Sequence, residues 1–204
     1  MASSRITKRL GVFGGTFDPI HKGHVAVAEA ALESLNLNEV MFVVTSDQWL
    51  RGNPPQATAE DRFRMVELAV ENVLEFIASD VDILREGSTY TVDTLRDLRA
   101  QLGDSSELFL IVGADSAISM DRWKEASVIA ELATIVAVGR PAEQFDSGLF
   151  DNSHPASGAE YVEGPMIDVS ATRVRDLFST GQAVGDLVDE KVSGYIEKRN
   201  LYHG

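Results

Sequence analysis

The chain has no cysteine among its 204 residues. Disulfides, thiolate metal ligands and cysteine nucleophiles are therefore excluded. Positive charge is scarce: 18 lysines and arginines stand against 32 acids, a formal net charge of −14. That balance argues against a basic surface for nucleic acid, and nucleic acid is not an expected partner. A polyphosphate ligand would meet an unfavourable far field. Any anion site must be built locally, from backbone N–H groups, a helix N-terminus and a few placed cations. Residues 1–30 oppose the average, with Arg5, Lys8, Arg9 and Lys22 against Asp18 and Glu29. Long apolar runs are missing too. No window reaches the ~18 apolar residues of a membrane span. The opening MASSRITKRL holds no apolar stretch, so the expectation is no secretory signal, no membrane partner and a cytoplasmic location.

What is present reads as a soluble globule. Hydrophobic residues make up 44% and charged residues 25%, which rules out a disordered chain. The length fits one domain over residues 1–204. Periodicity alternates along it. Strands are expected at 9–13, 40–45 (VMFVVT), 76–83, 108–112 (LFLIV), 134–138 (TIVAV) and 161–169. Helices are expected at 24–35, 58–73, 91–102, 126–132, 170–178 and 189–199. Thr58 and Asp61 resemble a capping box at the start of the second helix. Residues 141–164 carry five acids and no lysine or arginine, and read as a surface excursion. Strand–helix alternation predicts an α/β protein with a doubly wound parallel sheet, and ligands beyond the carboxyl ends of its strands.

Three suspicious stretches fall at such ends: Gly14-Gly15, Gly113-Ala114-Asp115 and Gly139-Arg140. The first opens GGTFDPIHKGH. Strand-end glycines allow φ > 0 and close approach of a ligand. Thr16 adds a hydroxyl, and Pro19 fixes φ before a helix start. His21 and His24, at i and i+3, are expected on one face of the first turn, aimed with the orphan N–H groups at one anion. Gly23 between them implies a steric demand such as a nucleotide lying against the backbone. The string is neither a Walker A loop nor G-x-G-x-x-G. No third ligand at a convincing spacing turns the histidines into a metal site, so no metal residue is named.

HKGH resembles the H-x-G-H signature of the nucleotidyltransferase superfamily, and DVSATRVR (168–175) resembles its I-S-x-T-x-x-R element. STYTVDTL (88–95), VGADSAISMDRW (112–123), VGRP (138–141) and the tail LVDEKVSGYIEKRNLY are similar to stretches of nicotinate-mononucleotide adenylyltransferases. The resemblance implies a Rossmann-like sheet of the nucleotidyltransferase type with a small C-terminal helical part over about 170–204. It implies adenylyl transfer from ATP to nicotinate mononucleotide, giving deamido-NAD and pyrophosphate in NAD biosynthesis. Mg²⁺ would be bound mainly through the ATP phosphates.

The same resemblance assigns residues. His21 and His24 would be catalytic, donating to the α-phosphate. Gly14, Gly15, Thr16, Phe17, Gly23, Gly113, Asp115, Ser170, Thr172 and Arg175 would bind ATP, with Asp115 on the ribose and Ser170, Thr172 and Arg175 on the β and γ phosphates. Thr16, Trp49, Arg51, Tyr90, Thr91, Trp123 and Arg140 would bind nicotinate mononucleotide, Trp123 by stacking. Blander roles compete: an N-cap for Ser170, a helix cap for Asp115, a solvated helix face for Arg175, a surface ion pair for Arg140, core packing for the tryptophans. Val44 stands where the family often has proline, and Arg51 where it has lysine. Alternatives are a pantetheine-phosphate adenylyltransferase, a cytidylyltransferase or a catalytically silent nucleotide-binding module. The sequence leaves the oligomeric state open, and a homo-oligomer stays among the allowed assemblies.

Overall fold

The computed structural model describes residues 8–46, 54–85, 87–103, 105–139 and 145–203. Six strands form one all-parallel sheet: β1 (Lys8–Gly15), β2 (Glu39–Val44), β3 (Phe76–Ser79), β4 (Ser106–Gly113), β5 (Thr134–Gly139) and β6 (Glu160–Glu163). Their spatial order is β3-β2-β1-β4-β5-β6. The chain leaves β1 in one direction for β2 and β3, then returns to place β4 on the other side. A crevice therefore opens between the carboxyl ends of β1 and β4, where the winding reverses.

The side-chain period of two divides the core between the sheet's faces. Leu10, Val12, Leu108, Leu110 and Ile135 pack with Val92, Leu95 and Leu98 of α4 (Thr91–Leu102) and Ile129 of α6 (Ala126–Leu132). Phe13, Phe109, Ile111 and Val136 face the opposite way. They pack with Ala28 and Ala31 of α1 (Lys22–Ser34), Met65 and Val66 of α2 (Ala59–Val70), Val174 and Phe178 of α7 (Ala171–Ser179) and Val192 and Ile196 of α8 (Glu190–Arg199). Burying each large apolar side chain contributes about 1.5–3 kcal/mol. Both faces are covered, which is why the strands read as unbroken apolar runs.

The expected strand over 76–83 stops at Ser79. Residues Val81–Arg85 form a short helix, α3, in which Asp82 and Arg85 pair at i,i+3. Buried Asp82 also accepts from Thr94 Oγ1 at 2.6 Å, tying α3 to α4. The last strand likewise ends early. Gly164 N–H donates to Gly139 O at 2.7 Å, and Pro165 then has no N–H to extend the ladder. A five-residue helix, α5 (Ala114–Ile118), follows β4 directly and was not foreseen. At α2 only half of the capping box forms. Thr58 accepts from Asp61 N–H at 3.1 Å, while the Asp61 carboxylate is taken by Tyr195 (2.7 Å) and Arg199 (3.1 Å) of α8.

Candidate active site

A cavity of about 1120 Å³ lies at the carboxyl edge of the sheet. Gly14, Gly15, Thr16 and Phe17 form its wall at the end of β1, His21 and His24 at the start of α1, Gly113 at the end of β4, and Ser116 and Trp123 beyond it. Ser170, Thr172 and Arg175 of the α7 turn close it. Two motifs some 150 residues apart in sequence thus face one space. Three contacts fix their relation. Arg175 Nη1 donates to the Asp18 carbonyl at 2.7 Å, its guanidinium lies 4.0 Å from the Asp18 carboxylate, and α1 abuts residue 169 at Gly23.

The histidines meet differently from the expectation. His21 is the N-cap of α1 rather than a residue of its first turn, with φ −144° and ψ 167°. His24 is the third residue of the helix, and the rings stack with centroids 3.6 Å apart at 16°. His21 N–H donates to His24 Nδ1 at 3.2 Å. An accepting Nδ1 places the His24 proton on Nε2. His21 Nδ1 is buried and has no hydrogen-bond partner among the described residues. Burial pulls its pKa down to about 4, so at neutral pH the ring is uncharged and donates through one nitrogen only.

The glycines act through shape. Gly14 and Gly15 lie within β1, paired with Val43 and Val44, and the positive φ expected there falls instead on Phe17 at 49°. A Cβ on Gly15 would stand 2.8 Å from the Phe17 ring. Phe17 itself is buried in the core, so it borders the cavity mainly through its backbone. A Cβ on Gly23 would stand 2.8 Å from Val169 Cγ1 and 3.1 Å from His21 Nδ1. The steric demand at Gly23 therefore comes from the protein's own α7 approach, and Gly23 does not line the cavity. Pro19 lies two residues ahead of the N-cap, before the helix start as expected.

At α7, Ser170 is the N-cap, accepting from Arg173 N–H at 3.2 Å. Thr172 Oγ1 accepts from Arg175 Nη2 at 3.2 Å. Arg175 is thus no solvated helix face. Its Nε is buried and without a partner among the described residues. Asp115 is exposed in the first turn of α5, forms no cap and does not line the cavity, although Ser116 beside it does. Trp123 is half-buried, reaching both the cavity wall and the core against α4. Tyr90 and Thr91 begin α4 off the wall. They follow Thr89, whose hydroxyl accepts from Ser46 N–H at 3.1 Å, and Lys124 Nζ sits 4.2 Å over the Tyr90 ring. Trp49, Arg51 and Arg140 lie outside the described residues.

Sequence reasoning missed the supports behind the wall. Asp18 is buried and accepts from Gln56 N–H (2.8 Å), Ala57 N–H (3.1 Å) and the Tyr202 hydroxyl (2.8 Å). Arg62 is 1% exposed, inside α2. The available signal was its place in the stripe 62, 65, 66, 70, where only apolar residues are expected. Among the described residues no three His, Asp or Glu side chains gather to hold a metal. Nor is any described helix long and apolar enough to cross a membrane.

Comparison with known proteins gives a family and a fold. The family model described as cytidylyltransferase-like matches residues 12–177. A Salinispora arenicola protein named "Probable nicotinate-nucleotide adenylyltransferase" is 41% identical over 189 residues, 93% of this chain and 98% of its own. Proteins of the same name from Streptomyces coelicolor (41% over 192 residues; 94% and 99%) and Dehalococcoides mccartyi (37% over 201 residues; 97% and 98%) are equally full-length matches. Among solved structures, Plasmodium falciparum nicotinic acid mononucleotide adenylyltransferase complexed with NaAD superposes with a TM-score of 0.74 at 19% identity, covering 96% of this chain and 97% of that one.

Proposed function

The chain belongs to the nicotinate-nucleotide adenylyltransferases within the cytidylyltransferase-like family, and from that membership we infer how its cavity works. The enzyme transfers the adenylyl group of ATP to nicotinate mononucleotide, giving deamido-NAD and pyrophosphate in NAD biosynthesis. A phosphate oxygen of the mononucleotide bonds to the α-phosphorus of ATP, and the α–β bridging P–O bond breaks with its electrons leaving on pyrophosphate. The nucleophile is already ionised at neutral pH, so no general base is required. Catalysis rests on alignment and on stabilising charge at the α-phosphate.

In this reading His24 Nε2–H and the His21 ring donate to α-phosphate oxygens, joined by the backbone of Gly15 and Thr16. Ser170, Thr172 and Arg175 hold the β and γ phosphates at the amino end of α7, where the helix dipole favours anions. Gly113 leaves room for the nucleoside and Asp115 takes the ribose. Trp123 stacks on the pyridine ring, with Tyr90 and Thr91 on its carboxylate and Trp49, Arg51 and Arg140 completing the mononucleotide side. The observation that carries the reading is the convergence of the stacked histidines and the Ser170–Arg175 turn on one cavity at the switch point. It gives a chain of net charge −14 a local anion site.

Nucleotidyltransferases use a divalent ion with ATP, and here we assign Mg²⁺. Asp18, the one carboxylate on the wall among the described residues, already accepts three hydrogen bonds. That donor set fits an ion carried in on the triphosphate, which would supply neutralisation of phosphate charge. Residues 1–204 act as one domain, with 170–204 as its C-terminal helical part, in the cytoplasm.

Pyrophosphate release with ATP and Mg²⁺ tests the assignment, run side by side on nicotinate mononucleotide, its amide analogue and phosphopantetheine. Turnover is expected with the nicotinate substrate. Turnover with phosphopantetheine alone would reassign the enzyme, and silence with all three would make it a binding module.

A further inference from the structure

The Arg62 guanidinium is buried and forms no ion pair with a carboxylate among the described residues. Its Nη1 donates to Thr16 O at 2.7 Å and to Thr45 O at 2.8 Å. Nη2 donates to Ser46 O at 3.1 Å, and Nε to Ala57 O at 3.3 Å. Four carbonyls from three segments therefore meet on one side chain: the loop after β1, the end of β2 and the entry to α2. The Asp18 carboxylate favours the charge from nearby without bonding to it, and a buried charge held mainly by carbonyl dipoles is a poor way to stabilise a fold, since apolar residues of similar volume usually do as well. Here it solves a geometric problem that apolar packing cannot.

We propose that Arg62 is a positioning residue for adenylyl transfer, holding the phosphate loop and the β2–α2 segment in one register. The inference rests on the function proposed above. A trans peptide fixes its C=O and N–H in opposite directions. With Thr16 O held on Arg62, the Phe17 N–H must point away from α2. The left-handed φ of 49° at Phe17 belongs to the same turn. From the other side the Asp18 carboxylate holds Gln56 and Ala57 N–H groups at 2.8 and 3.1 Å, so the segment entering α2 is gripped by both an anion and a cation. The planar fork matters: a lysine ammonium from the same backbone would reach one or two of these carbonyls, not all four.

The test uses the full chain with Arg62→Lys and Arg62→Gln. Circular dichroism establishes folding at the assay temperature. Steady-state kinetics with ATP and nicotinate mononucleotide and amide hydrogen exchange are then measured on each. The expected result is a kcat loss of about 10²-fold for Arg62→Gln and about tenfold for Arg62→Lys, the scale of a small misplacement of reacting groups. Exchange should quicken at the Thr45, Gln56 and Ala57 amides, which are hydrogen-bonded to Gly15 O and the Asp18 carboxylate, while β4 keeps its protection. Arg62→Lys with kcat and both KM values within about twofold of wild type would overturn the proposal. So would exchange raised evenly across the sheet, or failure of both variants to fold, which would assign Arg62 to the fold alone. If the wild-type chain shows no turnover, the adenylyl-transfer reading fails instead, and the exchange pattern alone decides for or against Arg62.

Discussion

The hydroxyl of Tyr202 donates to Asp18 Oδ1 at 2.8 Å across 184 residues of sequence. Burial and the adjacent Asp18 carboxylate both push the phenol pKa up, so it stays a donor at any working pH. Asp18 also takes Arg175 on its carbonyl, so the last residues of the described chain brace the loop that leads to His21. Tyr202→Phe should cost about 1–2 kcal/mol, the loss of one bond to a charged buried acceptor, read as a lower urea midpoint at unchanged slope. A midpoint equal to wild type would show that Asp18 is held well enough by Gln56 and Ala57.

His24→Ala removes one of the donors proposed for the transferred phosphate. Loss of a single such donor typically lowers kcat by about 10²–10³-fold. The fold should survive, because Ala28 and Ala31 still anchor α1 in the core even though the edge contact of His24 with Phe17 is lost. Unchanged kcat would take His24 out of the chemistry.

His21 makes a prediction about acid. Its folded pKa near 4 lies below the ordinary 6.5. Above about pH 6.5 the ring is neutral folded or unfolded, and contributes nothing pH-dependent. As pH falls from about 6.5 towards 4, the unfolded chain binds the proton first and stability drains away, by an order of 3 kcal/mol in all. A bound polyphosphate favours the charged ring and should raise that pKa. NMR titration of His21 with and without pyrophosphate reads both effects; a free-state pKa near 6.5 would sink the first, and no upward movement on binding the second.

Gly23→Ala should improve helix propensity by about 1 kcal/mol and yet impair the enzyme. The new Cβ would stand 2.8 Å from Val169 Cγ1 and 3.1 Å from His21 Nδ1, so either α7 or the His21 ring must move. Overpacking of this kind costs about 1–3 kcal/mol. A variant with wild-type kcat and a raised melting temperature would show that the approach of α7 to α1 has slack.

The sheet and its switch point were legible because a doubly covered parallel strand must be apolar throughout, and because glycines end β1, β4 and β5. His21, His24, Ser170, Thr172 and Arg175 were legible through short motifs. Helices α3 and α5, at five residues each, are shorter than the window over which helical periodicity can be read. β6 was overextended because residues after Pro165 stay apolar while the proline withholds its donor. Gly23 was recognised as demanding, but the demanding partner, Val169, is distant in sequence. Arg62 hid as one charged residue in an apolar stripe. The bond from Tyr202 to Asp18 has no local signature at all, since it depends on how α8 lies against α2.

The order of translation gives the brace behind the histidines a temporal meaning. Gly14–His24 is synthesised well before Arg175 and Tyr202, β1 can begin to pair once β2 emerges, and Arg62 follows soon after. A nascent chain therefore displays its two imidazoles long before the groups that brace their loop exist, and the pocket can close only after Arg175 and Tyr202 have been made.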